Sequence, residues 1–262
     1  MIAPLRKVLN AGDLFGLNLV QAARSVRGVP KLIRDGIAYQ KQSPPVSFRL
    51  SVRHLMPMLT DYRGSAGCAT GQYFHQDLWA ARKIFQRRPA QHVDIGSRID
   101  GFIAHLLVFM DVQVIDILPL DSQVRGLHFQ QDDATSLANL RDDSVISISS
   151  LHVAEHFGLG RYADPVDPWA HTKFMRSLER VLAPGGNLYF SVPIGRERLE
   201  FNAHRIFDPA TVLAHFERLR LTSFSYVDDT GALHEDVSPP DVPKNLSCGC
   251  GLFDFTKDCS NS

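Results

Sequence analysis

Residues 91–101 read Gln-His-Val-Asp-Ile-Gly-Ser-Arg-Ile-Asp-Gly, a short apolar run that ends in an acid, a glycine and a small polar residue. His92, Val93 and Ile95 suit a buried strand, while Gly96 lets the backbone leave it sharply and lets a ligand approach with no Cβ in the way. The next apolar run, Val112 to Ile117, carries Asp116 at its end, twenty positions after Gly96. In an open α/β sheet the tip of the second strand lies beside the first turn, so an acid placed there can accept both ribose hydroxyls of a nucleoside.

Working outward, the chain alternates. Strands are expected at 93–95, 112–117, 127–130, 145–149 and 187–192, with helices at about 100–109, 134–140 and 169–181 between them. Such alternation implies a doubly wound, mostly parallel sheet with ligands at the carboxyl ends of its strands. After Pro209 a helix to about Phe216 precedes two β-like runs, Leu219 to Val227 and Cys250 to Thr256, expected as an antiparallel C-terminal pair at one edge. The fold class is therefore α/β, seven-stranded, with an N-terminal helical extension.

Upstream of the first strand, a helix is expected from about Gln76 to Gln86, preceded by a glycine-rich loop from Asp61 to Gly71. Residues 1–40 read as one or two helices, with Leu14, Leu17 and Val20 at three-residue spacing, and residues 46–60 alternate too briefly for an assignment. The boundaries that follow are an extension and linker at 1–70 and a catalytic-type domain at 71–262. The first forty-one residues set Arg6, Lys7, Arg24, Arg27, Lys31, Arg34 and Lys41 against Asp13 and Asp35. That basic stretch reads as a solvated helical face or as peripheral contact with an acidic membrane surface or partner.

The whole chain has 262 residues, 44% hydrophobic and 21% charged, with formal net charge zero, so it lacks the electrostatic footprint of a nucleic-acid binder. It has neither a transmembrane-length apolar window nor the h-region of a secretory signal, and a cytoplasmic location is expected. Cys68, Cys248, Cys250 and Cys259 are too few and too badly spaced for a disulfide framework or a metal site and are read as thiols. Asn245-Leu-Ser matches a glycosylation acceptor that has no meaning in the cytoplasm.

Five pieces line up in order. They are Asp94-Ile-Gly96-Ser97, Asp116, Asp132-Asp133-Ala134, Ser149-Ser-Leu-His-Val-Ala-Glu-His-Phe157, and the helix, Pro-Gly-Gly turn and strand of Leu178 to Pro193. Together they resemble class I S-adenosylmethionine-dependent methyltransferases over about residues 75–256. More narrowly, Tyr73 to Leu78, Gly158 to Pro165 and the Cys-Gly-Leu-Phe-Asp-Phe ending resemble an uncharacterised methyltransferase-like family, some of whose bacterial members are associated with surface-polysaccharide genes. The resemblance implies S-adenosyl-L-methionine as cofactor, held by Asp94, Gly96, Ser97, Arg98, Asp116, Asp133, Ala134 and Ser150. It departs from the superfamily pattern where Arg98 and Asp100 replace later glycines of the loop. Arg98 either narrows the approach to the methionyl end or pairs with the cofactor carboxylate.

Methyl transfer to a sugar or other alcohol hydroxyl needs a base, and His156 and His204 follow the fourth and fifth strands on the correct edge. Glu155, Arg161, Tyr162 and Arg196 are the candidate contacts to a small-molecule or glycan-linked acceptor. His152-Val-Ala-Glu-His156 also satisfies an inverted zinc-protease signature, but it begins at the end of a core strand rather than within a helix, and no metal is expected. Two other readings stay open. One is a catalytically silent module that keeps the fold, and the other is a nicotinamide-dependent oxidoreductase, which Gly-Ser-Arg-Ile-Asp-Gly fits poorly.

Overall fold

The computed structural model describes residues 19–162 and 164–259. The chain forms two compact units, Met1–Cys68 and Ala69–Ser262. In the first, helix α1 (Leu19–Lys41) is followed by 3₁₀ turns at Val46–Phe48, Val52–His54 and Asp61–Arg63. Leu14, Leu17 and the side chain of Val20, on which the N-terminal helical spacing rested, lie outside the described residues.

The second unit is built on one eight-stranded sheet. Its strands are β1 (Val93–Ile95), β2 (Val112–Asp116), β3 (Leu127–Gln131), β4 (Val145–Leu151), β5 (Leu182–Ile194), β8 (Leu219–Val227), β9 (Leu233–His234) and β10 (Gly249–Lys257). The order is β3-β2-β1-β4-β5-β10-β8-β9, and β6 (Arg198–Glu200) with β7 (His204–Ile206) makes a separate hairpin. The first five strands are parallel, and β10 runs antiparallel between β5 and β8. Seven of the eight strands are those the hydrophobic pattern predicts. The predicted antiparallel C-terminal pair, β8 with β10, stands at one edge of the parallel strands, and the short β9 adds outside β8.

Core residues alternate between the two faces as strand periodicity requires. Leu188, Phe190 and Val192 pack with Phe174, Met175 and Leu178 of helix α4 (Ala170–Val181). On the other face, Tyr189 and Leu252 pack with Trp79, Ala80 and Ile84 of helix α2 (Gln72–Arg87). The sheet is pinned to α2 by a buried ion pair in which Arg87 donates two hydrogen bonds to Asp254, at 2.7 and 2.9 Å, and one to the Tyr189 hydroxyl at 3.1 Å. Asp254 is fully buried, and Lys83 approaches it at 3.2 Å.

Two predicted helices differ. Residues 134–140 form turns, not a helix, and side chains of α4 take carbonyls a helix would use: Ser177 donates to Thr135 at 2.9 Å and Arg180 to Ser136 at 2.8 Å. Leu137 also has φ 46°, outside the helical region. The helix after β1 opens with a π-helical turn, Ile99–Ile103, before α3 (Ala104–Leu106). There the side of Gly101 faces Asp77 of α2, since a Cβ would lie 2.3 Å from Asp77 Oδ2. Helix α5 (Pro209–His215) starts where Asp208 accepts the Ala210 N–H at 2.8 Å, a side-chain N-cap.

Candidate active site

The two stretches that open the sequence reading meet on one rim. Asp94 and Ile95 of β1 register with Val114 and Ile115 of β2, and the Gly96 N–H donates to the Ile115 carbonyl at 2.9 Å. Gly96, Asp116, Asp133 and Ala134 all line a cavity of about 390 Å³ at the carboxyl ends of β1, β2, β3 and β4. Its far wall is the loop after β4, from Val153 to Gly158, together with Tyr162. Gly96 has φ +69°, and a Cβ there would lie 2.9 Å from Val153 Cγ1. The glycine is thus required both by its left-handed backbone and by the close approach of the β4 loop.

Asp94 is a brace, not a wall. It is fully buried and accepts from the Ser97 N–H at 3.0 Å, the Ser97 hydroxyl at 2.6 Å and the Ser149 hydroxyl at 2.5 Å. The Ser97 hydroxyl in turn accepts from the Leu151 N–H at 3.0 Å, tying the β1 turn to β4. His92 bridges the Ser147 and Ser149 hydroxyls at 2.8 and 2.9 Å. Burial pushes the Asp94 carboxyl up to about 6 and the His92 imidazole down to about 3. Asp94, Ser97 and Ser150, expected to contact cofactor, line neither this cavity nor its neighbour, and nor does the exposed Arg196, expected to contact the acceptor. Ser150 is fully buried within β4, and its hydroxyl has no hydrogen-bond partner.

Asp116 lies at the mouth of the first cavity, where its Oδ1 accepts the Leu118 N–H at 2.8 Å. Asp133 makes the same two-residue turn with the Thr135 N–H at 2.8 Å. Each acid therefore has one oxygen committed to its own loop.

A second cavity of about 380 Å³ shares Gly96, His152, His156 and Tyr162 with the first and adds Arg98, Glu155, Arg161 and His204. The predicted bases and most of the predicted acceptor contacts converge here. His156 Nδ1 donates to the Ala203 carbonyl at 2.7 Å. That bond fixes the tautomer and leaves Nε2 as the lone-pair nitrogen, 3.6 Å from Glu155 Oε1. Arg161 also donates to the Ala203 carbonyl, at 3.1 Å. Its 3.4 Å approach to His156 Nδ1 sets two donors side by side and is not a bond.

Burial drives the neighbouring acid and base in opposite senses: the Glu155 carboxyl rises to about 8 and the His156 imidazole falls to about 4. Near neutral pH this is a protonated carboxyl beside a neutral ring, so their proximity is not a salt bridge. Both Glu155 oxygens and His152 Nε2 are buried without a hydrogen-bond partner, and His204 Nε2 has only Glu200 Oε2, 3.3 Å away. Such a concentration of unsatisfied polar atoms in one hollow is what a site awaiting a polar ligand presents.

Arg98 is held by its own loop. Its guanidinium pairs with Asp100 at 3.2 Å and lies over the Tyr73 ring at 4.9 Å, on the wall of the second cavity. His152, the first residue of the zinc-like motif, has φ 57° and precedes a 3₁₀ turn at Ala154–His156, so the two histidines do not share a helical face. Its ring bonds Gln76 instead.

Several wall residues were not among the predicted site contacts. Gln72 and Tyr73 reach the second cavity because α2 begins at Gln72, four residues before the expected start. Cys248, read only as a thiol, lines the same wall, and its backbone carbonyl accepts from Gln72 Nε2 at 2.6 Å. Asp164 shapes the covering loop by accepting from the Gly158 and Tyr162 N–H groups at 2.8 and 3.1 Å. The Gly/Pro punctuation of 158–165 was the one visible hint of it.

Residues 132–231 match a family model described as Caenorhabditis protein of unknown function, DUF268, a description that does not extend to the bacterial members the resemblance suggested. No curated protein matches the chain. Among solved structures, the chain is similar to a putative sarcosine dimethylglycine methyltransferase from Galdieria sulphuraria, with TM-score 0.51 and 13% identity over 70% of this chain and 86% of that one. It is similar to Burkholderia thailandensis 1,6-didemethyltoxoflavin-N1-methyltransferase, solved with 1,6-didemethyltoxoflavin and S-adenosylhomocysteine, with TM-score 0.50 and 13% identity over 70% and 79%. It is equally similar to the [4+2]-cyclase SpnF, with TM-score 0.50 and 13% identity over 76% and 91%. One of these three is titled a cyclase, so what they establish is architecture. The chain has the Rossmann-like fold of class I S-adenosylmethionine-dependent methyltransferases.

Proposed function

We propose that the chain is an S-adenosylmethionine-dependent methyltransferase that methylates a hydroxyl of a small-molecule or glycan-linked acceptor, in the cytoplasm. The observation that carries this reading is the convergence of Gly96, Asp116, Asp133 and Ala134 on one cavity of about 390 Å³, which shares His152, His156 and Tyr162 with the neighbouring acceptor hollow. The volume lies within the range of about 300–1,000 Å³ usual for small-molecule sites.

The residues fit the cofactor. Asp116 has its second carboxylate oxygen for a ribose hydroxyl, Asp133 and Ala134 line the same cavity where the sequence resemblance puts the adenine, and Gly96 keeps the first turn clear of a Cβ. Bound there, S-adenosylmethionine supplies a methyl group on a cationic sulfonium. The protein's share is to position the acceptor oxygen, worth up to about 7–11 kcal/mol when the reacting groups are held in line, and to take its proton. His156 Nε2 is suited to the second task, since Ala203 fixes the tautomer and burial keeps the ring neutral. Glu155 is adjacent, and a neutral carboxyl can both donate to and accept from an acceptor hydroxyl. A place in polysaccharide biosynthesis accords with a glycan acceptor and rests on the sequence resemblance alone.

Calorimetric titration with S-adenosylmethionine, S-adenosylhomocysteine and NAD tests the proposal. Heat with the first two alone supports it, heat with NAD replaces it with an oxidoreductase, and silence with all three leaves a ligand-free module on the same fold.

A further inference from the structure

The N-terminal unit poses a separate question. Among its described residues no large apolar side chain is buried, and only Gly28 and Pro44 are. Along α1, Val26, Val29, Ile33 and Ile37 recur at three- or four-residue spacing and so form one face, with exposures of 71%, 40%, 58% and 53%. The helix meets the segment that follows it through its glycine edge instead. A Cβ on Gly28 would lie 2.0 Å from the Leu59 carbonyl oxygen, and Gly36 faces Leu50. That segment is itself apolar and open, with Val46, Phe48, Val52 and Met56 at 78%, 69%, 85% and 82%. Exposed apolar side chains in this density have a partner in the working protein.

Charge says which. Between Leu19 and Thr60 there are seven lysines and arginines and one acid, Asp35. Lys31 and Arg34 pair with Asp35, while Arg24, Arg27 and Lys41 of the same helix carry no ion pair among the described residues. On the helical wheel Arg27, Arg34 and Lys41 flank the apolar face on one side. No described helix is long and apolar enough to cross a membrane. A helix with an apolar face, a basic flank and modest overall hydrophobicity lies in the plane of an anionic bilayer, with its apolar side chains in the acyl boundary and its cations among the headgroups.

We propose that residues 19–60 are a docking surface for an anionic lipid bilayer, with the α1 face of Val26, Val29, Ile33 and Ile37 as the inserted element. The proposal is independent of the methyl-transfer reading and is tested without cofactor or acceptor.

The test is co-sedimentation of the full chain with vesicles of phosphatidylcholine alone or of equimolar phosphatidylcholine and phosphatidylglycerol. The expected result is partition to the mixed vesicles only, weakened by added salt as charge screening requires. Each cation near such a surface is worth about fivefold, so Arg27→Glu with Lys41→Glu lowers partition by more than about tenfold. Ile33→Asp with Ile37→Asp abolishes it. All four positions are exposed, and an unchanged far-ultraviolet spectrum and melting temperature show that each variant is folded. Absence of binding to the mixed vesicles overturns the proposal, as does binding that either double variant leaves intact. A dimer in light scattering that Ile33→Asp with Ile37→Asp dissociates, without vesicle binding, overturns it in favour of a second copy of this chain.

Discussion

Replacing Asp116 by asparagine isolates the cofactor contact from the turn that presents it. Oδ1 of Asp116 already accepts the Leu118 N–H at 2.8 Å, so alanine would remove the ribose acceptor and unravel the loop together. Asparagine keeps the Oδ1 acceptor and converts the other oxygen to an N–H₂ donor without charge. What is lost is one charge-assisted hydrogen bond, worth about 1.5–3 kcal/mol, which is a loss of about 10- to 150-fold in affinity. Asp116 is only half-buried, so desolvation does not enlarge the effect. The assay is calorimetric titration of S-adenosylhomocysteine into wild type and Asp116→Asn, with thermal melting of both to show that the fold is unchanged. An Asp116→Asn protein that melts like wild type and binds the cofactor product equally well refutes the placement of ribose at the tip of β2.

Further outcomes follow from individual contacts. Gly96→Ala combines a left-handed backbone, costing about 1–2 kcal/mol, with a Cβ 2.9 Å from Val153 Cγ1; in urea unfolding, Val153→Ala in the same chain restores the clash part but not the backbone part. Arg87→Met strands the fully buried Asp254 with Lys83 alone and lowers stability by about 3–5 kcal/mol, measured by the denaturant midpoint, and a loss under about 1 kcal/mol would show the pair to be dispensable. Glu155 gives a pH test. Its carboxyl is raised from 4.5 to about 8, so between those values the folded chain holds a proton that the unfolded chain has released, and stability falls as pH rises through the window. Glu155→Gln removes that slope, so its melting temperature gains on wild type from pH 5 to pH 8.5, and parallel profiles would place Glu155 in contact with water. His156→Ala should lower methyl transfer to a hydroxyl by about 10²–10⁴-fold, the share of a general base, and lower S-adenosylhomocysteine affinity far less, since the ring is one part of the wall of the first cavity; equal losses in rate and affinity would refute the base assignment.

The local alternation of apolar and polar residues was enough to place seven strands and the acid or glycine at three of their tips, because strand period and the chemistry of a strand-to-loop turn are properties of a few consecutive residues. The same locality explains the failures. Residues 134–140 carry a helical pattern, yet Ser177 and Arg180 of a helix far along the chain take the Thr135 and Ser136 carbonyls. Asp94 and Ser97 have the right composition for a ligand turn, but their polar atoms are spent on each other and on β4. Ser150 lies one residue before the last of its strand, and it is buried within β4 and lines neither cavity.

By itself, then, the sequence determined an α/β sheet and which residues stand at its carboxyl edge. Only tertiary structure decided that Gln72 and Cys248, 176 positions apart, close one hollow around Glu155 and His156, and that burial there leaves a carboxyl protonated beside a neutral imidazole. Proton affinity depends on how much water the surrounding chain excludes, and no run of neighbouring residues records that.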